Sequence, residues 1–210
     1  MKALLFDFDG TLLNTNTLII ETFRHVFEEH APGKYTDEQF LSFIGPSLLQ
    51  TFTAETPECV DDMIAKYRAW NQEHHDALVE EYPLVKETLE QLHAQGIRLA
   101  IVTTKQRTTL EHGLSLMGIR DLFDVTITLN DVEHVKPHPE PIEKALHALH
   151  VAKEDALMIG DNSHDIHAGQ RAGVKTAGVA WSIKGEDYLR SLQPDYILQS
   201  MTDLLQLVKG

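Results

Sequence analysis

The chain has 210 residues, 42% of them hydrophobic and 24% charged, which is enough apolar material for a sizeable core in one domain or two small ones. Its 18 lysines and arginines against 32 acids, a formal net charge of −14, speak against nucleic acid or an anionic membrane as partner, since both are held by basic side chains. A single cysteine, Cys59, excludes an internal disulfide, and no run approaches the roughly 18 apolar residues of a membrane span, so the expectation is a cytoplasmic protein.

Residues 2–8 are predicted as the first strand, which runs into Asp7-Phe8-Asp9-Gly10-Thr11. Side chains in a strand alternate faces, so Asp7 and Asp9 are expected on one side and Phe6 and Phe8 on the other. One carboxylate can attack while its neighbour moves a proton. Two like charges so close raise one pKa unless a cation stands between them, which points to a divalent metal, and Gly10 allows a tight turn beside a ligand. The next strong strand is 97–104. Between them the apolar spacing is helical, through Leu18, Thr22, Val26 and Phe27, then Phe40, Ile44, Leu48 and Phe52, then Val60 to Leu78, with turns at Pro32-Gly33 and Gly45-Pro46.

From Tyr82-Pro83 onward helix and strand alternate. The pattern predicts a helix over 84–95 stopped by Gly96, a strand over 97–103 and a helix over 107–117 with Gly118 beyond its end. Strands follow at 125–129, 156–160 and 175–180, and helices at 139–150, 165–172 and 201–208. This is the signature of an α/β fold with a doubly wound parallel sheet covered on both faces. Residues 1–14 and 83–210 form that core, and 15–82 form a helical domain inserted after strand one.

Ligands of open α/β sheets bind beyond the carboxyl ends of the strands, and there the polar residues gather: Asp7, Asp9 and Gly10; Thr103, Thr104 and Lys105; Lys136; Asp161 and Asp165. Each has a plain explanation alone. Asp-Gly makes turns, threonine suits strand ends, a lysine before proline is commonly solvated, and Asp161 could cap the helix that follows it. Their joint order at successive strand ends is far harder to explain so.

Together DFDGTL, the threonine of IVTTK, the lysine of VKPHPEP and GDNSHD resemble the four motifs of the haloacid dehalogenase superfamily of aspartate-nucleophile phosphatases. That resemblance implies Asp7 as nucleophile, Asp9 as general acid and base, and Thr103 and Lys136, with Gly10 and Thr104 nearby, as holders of the phosphoryl group. It implies Mg²⁺ on Asp7, Asp9 (through its backbone carbonyl), Asp161 and Asp165, and a helical cap that closes as a lid.

The segments NTN at 14–16, FIGPSL at 43–48, YRAWNQEHHDALV at 67–79, LNDVEHVKPHPEP and TAGVAWSIKG resemble the inorganic pyrophosphatases of that superfamily nearly end to end. The expected reaction is therefore Mg²⁺-dependent hydrolysis of inorganic pyrophosphate, with a small-molecule phosphate as partner and no implication for oligomeric state. Asn14, Gly45 and Ser47 are candidate cap determinants. Lys105, Arg68 and Arg107 are weighed as ligands of a distal phosphate against plain surface charge. The alternative on the same scaffold is a phosphatase acting on phosphoglycolate or another small phosphomonoester. A phosphorylated receiver module is disfavoured, because a receiver has neither a helical insertion after strand one nor an acid two residues after the acceptor. Metal storage by the twelve histidines, in pairs such as His74-His75, His147 with His150 and His164 with His167, is weighed against solvated histidine.

Overall fold

The computed structural model describes residues 1–209. The chain divides into two compact units, one made of Met1–Leu13 with the chain from Glu81 onward, the other of Asn14–Glu80. In chain order, β1 is Ala3–Phe6 and β2 Leu13–Asn14, and four helices follow: α1 (Asn16–His30), α2 (Asp37–Ser42), α3 (Leu48–Glu55) and α4 (Val60–Leu78). Then come β3 (Glu80–Glu81), α5 (Val85–Ala94), β4 (Arg98–Val102), α6 (Arg107–Met117), β5 (Val125–Ile127), α7 (Glu140–Leu149), β6 (Ala156–Gly160), α8 (Ser163–Ala172), β7 (Lys175–Val179), α9 (Glu186–Ser191), β8 (Tyr196–Leu198) and α10 (Leu204–Leu207).

The larger unit is built on a six-stranded sheet in the order β5-β4-β1-β6-β7-β8, and every neighbouring pair is parallel. β1 is central, pairing Leu5 with Ala100 of β4 on one side and Met158 of β6 on the other. All four of its side chains are buried, as a strand covered on both faces requires. One sheet face packs Leu5, Val102 and Met158 against Ile142, Ala145 and Leu149 of α7 and Ala168 of α8. On α6, Gly113 has no side chain because a Cβ there would come within 2.7 Å of the Phe8 ring.

The smaller unit has its own core, in which Phe23 and Phe27 of α1 meet Phe40 of α2, Phe52 of α3, and Met63 and Tyr67 of α4. Its rings contact edge-on or tilted, as with Phe23 and Tyr67 at 4.7 Å between centroids, or stacked, as with Phe23 and Phe27 at 6.1 Å, geometries that suit aromatic quadrupoles. Thr36 and Ser47 each begin a helix with a reciprocal capping box, closed by Gln39 and Gln50 respectively.

The first strand is shorter than expected. It ends at Phe6, and the backbone then turns back so that the Leu12 and Leu13 N–H groups donate to the Phe8 carbonyl at 2.9 and 3.2 Å. Strand alternation therefore does not extend to Asp9. The edge strand β8 and helix α9 went unpredicted because three and six residues are too short for a periodicity to declare itself.

Candidate active site

Asp7 follows directly on β1, and its backbone N–H donates to the Ile159 carbonyl of β6 at 2.9 Å. Its carboxylate Oδ1 lies 2.9 Å from the Lys136 ammonium. That ammonium also donates to Asp165 Oδ1 at 2.6 Å and to the Val102 carbonyl at the end of β4, also at 2.6 Å. Segments after β1, β5 and β6 thus meet on one nitrogen. Lys136 and Asp165 are 2% and 0% exposed and Asp7 is 7% exposed, so the charges interact with little screening by water.

The imbalance of charge is visible in the titration of these groups. Burial pulls Lys136 down, but Asp165 and Asp7 more than offset it and hold the ammonium above the ordinary lysine range. Asp7 is pushed up to about 7 by burial, with the Asp165 and Asp9 charges adding to it and Lys136 opposing. One ammonium divided between two carboxylates does not cancel the desolvation of both. Asp161, fully buried, is raised well above the ordinary carboxyl range by burial first and then by Asp165 and Asp7.

Asp161 does not cap the helix after β6. Asn162 does: its side chain accepts from the His164 N–H at 2.9 Å, while Asp165 Oδ2 accepts from the Asn162 N–H at 3.2 Å. Asp161 is thereby released toward the site, its Oδ1 bonded to the Asn162 amide at 3.1 Å and its Oδ2 buried without a hydrogen-bond partner. Asp7, Asp161 and Asp165 each bring one oxygen within 4.8 Å of the others. An orphaned buried oxygen among three carboxylates served by one ammonium fits a hard divalent cation. Gly10, at φ +73°, leaves the space for it, because a Cβ there would run into the Asp161 carboxyl group.

Asp9 lies elsewhere. Its carboxylate is not a member of that cluster of three. Asp9 Oδ1 instead accepts from the Lys105 ammonium at 2.8 Å. Asp7 still continues the ladder to β6, and the chain turns only at Phe8, whose carbonyl accepts from the Leu12 and Leu13 N–H groups. Thr103, buried at the end of β4, accepts the Lys105 N–H on its hydroxyl at 3.1 Å, and Thr104 follows it, half-buried.

The remaining candidates are engaged otherwise or solvated. Asn14 donates to Glu80 and accepts from the Asn16 backbone and side chain; Ser47 is occupied as a helix cap; Gly45 sits in a turn at φ 116°; Arg68 is exposed on α4. Arg107 is tied to Thr126 and Asp131. Among the described residues the pairs His147 with His150 and His164 with His167 join no grouping of metal-binding donors. Sequence reasoning missed Asn162 and Ser182, whose hydroxyl donates to the Asp161 carbonyl at 2.6 Å. Asn162 was legible, as an amide followed three residues later by an acid; Ser182 carried no local signal.

A family model described as haloacid dehalogenase-like hydrolase matches residues 4–179. The chain is 55% identical over 208 residues to a protein of Anoxybacillus flavithermus named pyrophosphatase PpaX, covering 99% of this chain and 97% of that one. A protein of the same name from Halalkalibacterium halodurans is 54% identical, with the same coverage. Among solved structures, a hydrolase of the haloacid dehalogenase-like family from Streptococcus pneumoniae superposes with a TM-score of 0.86 at 25% identity, covering 99% of this chain and 98% of that one.

Proposed function

The chain belongs to the haloacid dehalogenase-like hydrolases, and on that premise we propose that it hydrolyses inorganic pyrophosphate to two phosphates through a transient aspartyl phosphate on Asp7. The observation that supports this substrate is the likeness to two named pyrophosphatases along nearly the whole chain.

In the proposed reaction a carboxylate oxygen of Asp7 attacks one phosphorus, and the bond to the bridging oxygen breaks. Asp9 gives its proton to that oxygen as orthophosphate leaves. Water then attacks the acyl phosphate, Asp9 takes a proton from it, and the second phosphate departs with Asp7 restored. The charge of the transferring group spreads over three equatorial oxygens, so positioned cations and donors supply most of the rate. Lys136 is anchored for this by Asp165 and the Val102 carbonyl; the Thr103 hydroxyl, with Thr104 and the backbone at Gly10, completes the cradle. Mg²⁺, held by Asp7 and Asp161 with Asp165 beside them and with the Asp9 backbone carbonyl, would supply positive charge that lets a carboxylate approach an anion.

Asp9→Asn is expected to lower kcat for phosphate release from pyrophosphate by about 10²–10⁴-fold; a loss below tenfold in steady-state assay would remove Asp9 from the role of acid and base. Removal of divalent cations is expected to stop turnover reversibly. Adding Mg²⁺ back should raise the thermal midpoint, because a ligand that binds only the folded chain stabilises it. Scanning calorimetry checks this without any assay of activity, and the same shift in Asp161→Asn would show that the ion binds elsewhere.

A further inference from the structure

We infer that Lys105 matches this site to a leaving group that stays charged after protonation, and so sets its preference among phosphate compounds. The inference rests on the assignment of Asp9 as the acid that serves the leaving oxygen.

The ammonium of Lys105 lies 2.8 Å from Asp9 Oδ1, with the two side chains 9% and 22% exposed. It stands 5.7 Å from the centroid of the Phe8 ring. The residue's backbone is fixed as well, by the hydrogen bond from its N–H to the Thr103 hydroxyl. A lysine so nearly enclosed is stable only when paired. Lys136 cannot share this duty, since it is committed to Asp7, Asp165 and the Val102 carbonyl. Lys136 and Lys105 thus have separate stations, one beside the nucleophile and one beside the acid.

The position beside the acid has a chemical meaning. Lys105 occupies Oδ1 of Asp9, which leaves Oδ2 to carry the proton. The oxygen that receives this proton belongs to the departing group, so the ammonium lies next to where that group's charge collects. An alcohol departs neutral once protonated. Orthophosphate departs still negative, and glycolate departs with its carboxylate. A fixed cation therefore lowers the barrier for the anionic leaving groups and does little for a neutral one, which is discrimination in the transition state.

The test compares wild type, Lys105→Met, Lys105→Gln and Lys105→Arg on pyrophosphate, phosphoglycolate and glycerol 2-phosphate, each variant first shown by thermal melting to be folded. Lys105→Met is expected to lower kcat/KM on pyrophosphate by about 10²-fold or more, chiefly through kcat, and on glycerol 2-phosphate by less than about fivefold. Lys105→Gln keeps a donor for Asp9 but no charge, and should show the same selective loss. Lys105→Arg should restore pyrophosphate turnover to within about tenfold of wild type. Equal losses on all three substrates, full activity in Lys105→Gln, or no loss on pyrophosphate would each overturn the inference. If wild type preferred phosphoglycolate to pyrophosphate, the proposed substrate would be wrong. The selective loss on anionic leaving groups would still decide the role of Lys105.

Discussion

Asp7→Asn is expected to reduce turnover by about 10⁴-fold or more and, in the metal-free protein near pH 8, to raise the thermal midpoint. The two effects have one origin. Asparagine has nearly the size of aspartate but no anionic oxygen to attack phosphorus, so the covalent step is lost. It also removes one of three clustered buried carboxylates, and one of the two that share the Lys136 ammonium. The sign follows from the titration of Asp7, whose carboxyl is pushed up to about 7 in the fold by burial and by neighbouring acids. A carboxyl raised on folding binds more protons in the native state, so stability falls as pH climbs from the unfolded value, about 4, toward 7. The stability advantage of the asparagine variant should therefore be small near pH 4, widen to about pH 7 and level off above it. Calorimetry in EDTA across that range measures it. Acid quench of the wild type during single turnover, borohydride reduction and mass analysis of the peptide bearing residue 7 measure the covalent step, since an acyl phosphate is reduced to homoserine and a free carboxylate is not. A midpoint below wild type at pH 8, or no homoserine at position 7, would refute the two halves separately.

Lys136→Met should be harmful on both counts. It leaves Asp7, Asp161 and Asp165 buried without the ammonium that spans Asp7 and Asp165. Removing one partner of a buried ion pair costs about 3–5 kcal/mol, because the remaining charge stays desolvated. The denaturant midpoint of the metal-free protein should fall accordingly with an unchanged slope. Turnover should fall by about 10³-fold with the loss of a fixed charge on the transferring group. Lys136→Arg should rescue little, since a planar guanidinium cannot place one nitrogen against Asp7, Asp165 and the Val102 carbonyl together. An unchanged denaturant midpoint in Lys136→Met would show that this lysine does not hold the carboxylates in place.

Much of the larger unit was legible because its signals are local. Helix α6 was predicted at its observed bounds from an apolar stripe closed by Gly118, and β6 from an apolar run ending at Gly160. The stretch from Val60 to Leu78 likewise forms one helix. The convergence of Asp7, Lys136 and Asp165 could be guessed from their places at strand ends, since a parallel sheet brings those ends together. What was not legible is direction. Nothing in the spacing of Asp7 and Asp9 shows that the regular strand stops at Phe6 or that Asp9 pairs with Lys105. The partner of Asp9 was equally hidden, because Lys105 is 96 residues away and resembles any other surface lysine in sequence. Capping of α8 by Asp161 was the plain alternative to its role as a metal ligand; Asn162 performs it, which leaves the aspartate available to a cation.

The place of β1 has a practical consequence. Chain ends commonly fray, and residues within a few positions of one are the first to exchange their amide protons. Here the strand begins at Ala3 and is zipped to a partner along each side, so it opens only when two ladders part together. The Asp7 side chain, which follows directly on this strand, is consequently anchored beside the doubly paired centre of the sheet. Loss of β1 would therefore part both halves of the sheet at once.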